Sequence, residues 1–108
     1  MNDRVTTVME LRNAFREFVR ARRWEDAHSP KNLAMSIAIE AAELMEIFQW
    51  SSLERSSDVA KTPEFEHVRE ELADVLIYCL SLANRLDIDI SAAIEDKLVK
   101  NAKRYPPK

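Results

Sequence analysis

Two pairs of acids in this sequence are set among apolar residues. Glu40 and Glu43 lie in IAIEAAELMEIFQW, residues 37–50, and from Leu33 to Trp50 only Glu40, Glu43 and Glu46 carry charge. Three residues apart, Glu40 and Glu43 share one face of a helix. In LADVLIYCLSLA, residues 72–83, Asp74 is the only charge, and Glu71 precedes it by the same step. A carboxylate among Ala, Ile, Leu and Met is costly unless something compensates it. Such acids are protonated, or paired, or they hold a cation. Four of them on two packed helices repel strongly when bare. A divalent cation between the pairs resolves that conflict most simply. Carboxylate oxygens suit a hard ion, Mg²⁺ or alternatively Mn²⁺, that shares its coordination with substrate phosphates. The plainer alternative is an acidic rim facing solvent at a helix–helix groove. Glu46 drifts off the shared face, and Glu70 is expected to face solvent.

Other side chains could serve a phosphate-bearing ligand. Lys97, Asn101 and Arg104 stand at i, i+4 and i+7, one helical stripe, with Tyr105 adjacent. The stripe could reach phosphate oxygens or be an ordinary solvated face. Trp24 and Trp50 fall at helix ends, where an indole could stack on a base or simply pack. Tyr78, four residues after Asp74, shares the acids' face and could meet a sugar, or be a core residue with a satisfied hydroxyl. Glu25-x-x-His28 and Glu64-x-x-His67 match the spacing of di-iron bundles. The first lies in a polar connection and the second in a first helical turn, so neither faces a core.

These groups need helices to position them, and the pattern supplies helices alone. A first helix runs from Thr6 or Thr7 to Arg23, with Val8, Leu11, Phe15, Phe18 and Val19 as its apolar stripe. Arg12, Arg16, Glu17 and Arg20 are expected to face outward. After the connection WEDAHSPKN, Ser29 and Pro30 start a second helix that ends near Trp50. Residues 51–61 read as a polar loop. Thr62 and Pro63 start a third helix ending near Arg85. Asp89 or Ser91 caps a fourth, which ends near Tyr105 before Pro106 and Pro107. The expectation is an all-α chain, one domain over residues 1–108, arranged as a four-helix bundle. Two helices apolar on most of their circumference would leave a monomer with exposed apolar surface, so a dimer or tetramer is expected.

Composition narrows the function. With 46% hydrophobic and 32% charged residues the chain is globular rather than disordered. It contains no glycine, which excludes Gly-rich phosphate loops. Cys79 is the only cysteine, so no internal disulfide forms. There is no signal-peptide pattern and no apolar run fit to span a bilayer, so the cytoplasm is the expected location, with no membrane partner. The net charge of −3 is uneven: residues 1–32 carry +2, 33–96 carry −10, and 97–108 carry +5. An acidic centre beside a basic tail suits a metal-bound polyanion better than a nucleic-acid polymer, which wants a broad basic face.

Three stretches, EAAELMEIFQW, EELADVLIYCLSLANRLDIDI and KNAKRYP, resemble the all-α nucleotide pyrophosphohydrolases of the MazG-like superfamily. The likeness is to its small single-domain branch, which includes dCTP pyrophosphatase, and covers residues 8–106. The resemblance implies Mg²⁺ on Glu40, Glu43, Glu71 and Asp74, with Glu40 or Glu43 activating water. It implies a nucleoside pocket at Trp24, Trp50 and Tyr78, with Lys97 and Asn101 on phosphates or sugar. His28 and Asn32 match recurring positions. The implied reaction cleaves nucleoside triphosphates between the α and β phosphates to a monophosphate and pyrophosphate. Phe15 departs from the animal dCTP enzyme, which carries a His there, so the resemblance alone does not imply cytosine preference. The alternatives are a phosphoribosyl-ATP pyrophosphohydrolase-like enzyme, a non-catalytic nucleotide-binding protein and a ferritin-like redox bundle.

Overall fold

A computed structural model describes residues 1–108. The chain is all helical: α1 (Val8–Ala21), α2 (Pro30–Phe48), α3 (Leu53–Ser57), α4 (Glu64–Leu86) and α5 (Ile90–Arg104), with 3₁₀ turns at Glu25–Ala27 and Val59–Lys61. None of the helices is long and apolar enough to cross a membrane.

Local chemistry sets most of the boundaries. Thr7 accepts from the Glu10 amide while Glu10 reaches back to the Thr7 amide, a capping box that starts α1. The Ser29 hydroxyl accepts from the Asn32 amide, and Pro30 occupies the first turn of α2. Asp89, the first of the two expected caps, accepts from Ala92 and starts α5. Asp87 ends α4 in the left-handed conformation at φ 54°. Asp tolerates that region better than most residues, and the chain has no glycine to offer.

Two expected boundaries need correction. Residues 51–61 are not a loop: Ser52 caps the five-residue α3, and a 3₁₀ turn follows. A helix this short has no periodicity to read, and its Ser and Arg content mimics a loop. Thr62 does not cap α4. Its hydroxyl donates to the Val59 carbonyl at 2.7 Å, and the helix starts after Pro63 without a side-chain cap.

The α2–α4 pair is the main packing unit, with α1 laid against α4. Leu33 of α2, Val19 of α1 and Ala83 of α4 are the buried apolar residues. One chain does not close into a bundle, because α5 scarcely touches the other helices. The radius of gyration is 16.4 Å, against about 13 Å for a compact domain of this length. Nor is α2 buried on most of its circumference: Met35, Ile39 and Met45 remain more than half exposed, as do Leu76 of α4 and Ile94, Leu98 and Val99 of α5.

Candidate metal centre and adjoining cavity

Packing of α2 on α4 brings the two acid pairs together. Oxygens of Glu40, Glu43 and Glu71 all lie within 4.8 Å of one another. Asp74 stands just outside that group but acts on Glu40 through its charge. The Glu40 carboxyl is pushed up to about 7 from an ordinary 4.5. Burial is the first cause, followed by proton sharing with Glu43 and the negative charge of Glu43 and Asp74. Glu40 Oε2 and Glu71 Oε2 are buried and have no hydrogen-bond partner. Buried polar atoms are nearly always satisfied, so two orphan oxygens facing a third carboxylate suit a hard cation. No lysine or arginine pairs with these three acids.

His67 Nε2 lies 3.3 Å from Glu71 Oε1, so one oxygen of Glu71 is engaged and the other is left free. Glu43, Glu46, Glu64, His67 and Glu71 surround an open bowl of about 500 Å³. Glu46 joins this wall but not the group of converging oxygens. The two Glu-x-x-His pairs do not combine: His67 serves Glu71, whereas His28 sits between the rings of Phe15 and Tyr78, 6.2 and 6.5 Å from them. A di-iron core is therefore not assembled from them.

A second cavity, of about 360 Å³, opens between α1, the 3₁₀ turn before α2, and the C-terminal half of α4. Arg12 does not face outward; it is only 6% exposed. Its Nε donates to Asn84 Oδ1 and its Nη1 to the Ile88 carbonyl, both at 2.8 Å. Arg16 donates to the same Asn84 oxygen at 3.0 Å and lines the cavity. Arginine is a polar residue in any pattern, so its inward turn is invisible without α4. The signal available was the four-residue spacing of Arg12, Arg16 and Arg20, which marks one face.

The remaining expected residues divide. Tyr78 is half-buried beside His28, one turn beyond Asp74. Trp24 packs edge-on against Phe18, 5.7 Å between centroids, and is half exposed. Trp50 is 89% exposed and borders a different cavity, with Arg55 and Thr62. On α5, Lys97 and Arg104 are exposed and Arg104 lies over the Tyr105 ring; within one chain this stripe is not brought to the acids.

A family model described as MazG-like matches residues 35–108, the stretch holding all four acids and the α5 stripe. The chain belongs to the MazG-like family. Over 101 residues it is 40% identical to dCTP pyrophosphatase 1 of Rattus norvegicus and 38% identical to that of Homo sapiens. Each match takes in 93% of this chain but 59% of the relative, so the chain spans about three-fifths of the length of these proteins. A crystal structure of a pyrophosphatase from Archaeoglobus fulgidus superposes with a TM-score of 0.87 at 42% identity, over 99% of each chain. The all-helical MazG-like architecture is thus shared along the whole length, α3 and α5 included.

Proposed function

We propose that this MazG-like chain is a Mg²⁺-dependent nucleotide pyrophosphohydrolase, with Mn²⁺ as an alternative ion. It hydrolyses nucleoside triphosphates, deoxynucleotides among them, to the monophosphate and pyrophosphate, and so clears the nucleotide pool of the cytoplasm. The observation that carries the proposal is the convergence of Glu40, Glu43 and Glu71, with two buried oxygens left unpartnered. The names of the relatives support the reaction class.

Glu40, Glu43 and Glu71 would hold the cation, with Asp74 beside them. When bound, a hard divalent ion supplies charge neutralisation and polarises phosphate oxygens. Glu40 or Glu43 orients the attacking water and takes its proton. The water oxygen bonds to the α phosphorus, the α–β bridging bond breaks, and pyrophosphate carries off the electron pair. Tyr78 lies towards the nucleoside side. Trp24, Trp50, Lys97, Asn101 and Arg104 complete the pocket when a dimer or tetramer forms. The exposed apolar residues of α2, α4 and α5 favour such an assembly.

Pyrophosphate release from a panel of nucleoside triphosphates, with Mg²⁺ and then with chelator, tests the proposal. Release that depends on the ion is expected. Turnover untouched by chelation would refute it.

A further inference from the structure

We infer that Arg16 is a specificity-determining residue that reads the base of the substrate and favours cytosine and guanine. The inference rests on the pyrophosphohydrolase reading above. Its starting point is one face of α4. Glu71, Asp74, Tyr78, Ser81 and Arg85 follow at alternating steps of three and four, so they form a single stripe. At 1.5 Å per residue, Ser81 lies about 10 Å beyond Asp74 along the helix. That is comparable with the reach of a nucleoside from its α phosphate. A nucleotide with its phosphates at the acids therefore carries its base towards the 360 Å³ cavity, which Ser81, Asn84 and Arg85 line from α4. The volume lies in the range of small-molecule pockets.

The aromatic walls do not discriminate between bases. Phe15 and His28 line the cavity, but Phe15 is stacked between Phe18 and His28, and His28 lies between Phe15 and Tyr78, so their faces are taken within the chain. Discrimination needs directed polar groups, and Arg16 supplies them. Its Nη1 donates to Asn13 Oδ1 at 3.2 Å and its Nη2 to Asn84 Oδ1 at 3.0 Å. Asn84 is itself fixed: its oxygen also receives Arg12 Nε, and its amide donates to the Arg12 carbonyl at 3.1 Å. The Arg16 fork is thus held in place by neutral acceptors. It forms no ion pair, and three of its five N–H donors remain free.

A guanidinium fork pairs with a carbonyl oxygen next to a ring nitrogen. Asp26, on the same cavity, can accept from an exocyclic amine. Cytosine and guanine each present two adjacent acceptors and an amine. Adenine has no carbonyl, and thymine has no amine and places N–H between its carbonyls. Arg16 paired with Asp26 thus separates the first two bases from the other two, in a cavity that Arg20, Glu25 and Arg85 also line.

The test measures kcat/KM for dCTP, dGTP, dATP and dTTP in the Mg²⁺-loaded protein, for wild type, Arg16→Ala and Arg16→Lys. Binding of the four nucleoside monophosphates is measured in parallel. Arg16→Ala is expected to lower kcat/KM for dCTP and dGTP about tenfold or more, through KM, with much smaller changes for dATP and dTTP. Arg16→Lys keeps the charge but lacks the fork, so it should lose the same discrimination while retaining the fold. The monophosphates should show the same pattern, because they carry the base without the reaction. An equal loss for all four bases would place Arg16 on phosphate or framework and overturn the inference, as would an unchanged profile. Base-selective monophosphate binding without pyrophosphate release would instead defeat the reaction reading and leave Arg16 supported.

Discussion

The two ends of α4 solve the same electrostatic problem differently. At the N-terminal end, Glu71 meets Glu40 and Glu43, three carboxylates with oxygens within 4.8 Å. At the C-terminal end, Arg12 and Arg16 converge on one oxygen of Asn84. Both are crowds of like charge. The arginines are answered from within: Asn84 Oδ1, the Ile88 carbonyl and Asn13 Oδ1 accept their protons. The acids are not, since Glu40 and Glu71 each keep a buried oxygen without a partner. A crowd whose hydrogen bonds close inside the chain is framework, with the surplus donors of Arg16 left over for a ligand. A crowd with orphan atoms awaits something the chain does not itself provide.

The largest expected effect lies at the acid end. Glu43→Ala or Asp74→Ala should lower pyrophosphate release about a thousandfold, several kcal/mol of transition-state stabilisation, while circular dichroism stays helical. Retained activity in both would erase the contrast between the two ends.

The same contrast makes Asn84→Ala a stability mutation. It strips Arg12 and Arg16 of a shared acceptor, and a lost bond to a buried charged group costs about 2–3 kcal/mol. A fall in Tm on the order of 10 °C follows for a chain of this size. Calorimetry showing no change would mean that the arginines are not held as described.

A smaller, signed effect concerns Glu40. Its folded pKa is raised from 4.5 to about 7, so without metal the folded state keeps a proton that the unfolded state has released. The Glu40 contribution to stability is therefore fullest below pH 4.5 and is lost as pH rises through 7. The chelated protein should melt a few degrees lower near pH 8 than near pH 5.5, relative to Glu40→Gln, whose slope lacks this component. Mg²⁺ should remove the difference. An identical pH slope in wild type and Glu40→Gln would show that the acids are not crowded as the geometry has it.

The smallest effect is a control outside both regions. Thr7→Ala removes the α1 cap and should cost about 1 kcal/mol. It should leave base discrimination intact in the same kinetic panel.

Much of this is legible in the sequence. Ser29–Pro30, the Thr7 cap and the Asp89 cap act within a turn of themselves, so their sequence context is their whole context. The acid pairs were legible because an ionised group amid Ala, Leu and Met is anomalous wherever it packs. Five-residue α3 was missed because one helical turn has no period. The inward turn of Arg12 and Arg16 is not legible because their partner Asn84 lies 72 and 68 residues away in sequence.

The sequence by itself determined the four longer helices, the caps that start α1, α2 and α5, and the two acid faces, since each depends on neighbours within four residues. Only the tertiary structure decided which acids meet, that Glu40 rather than another is driven towards neutral pH, and that an arginine face turns inward. Those outcomes depend on how α1 and α2 lie across α4, a long-range arrangement that periodicity along the chain does not encode.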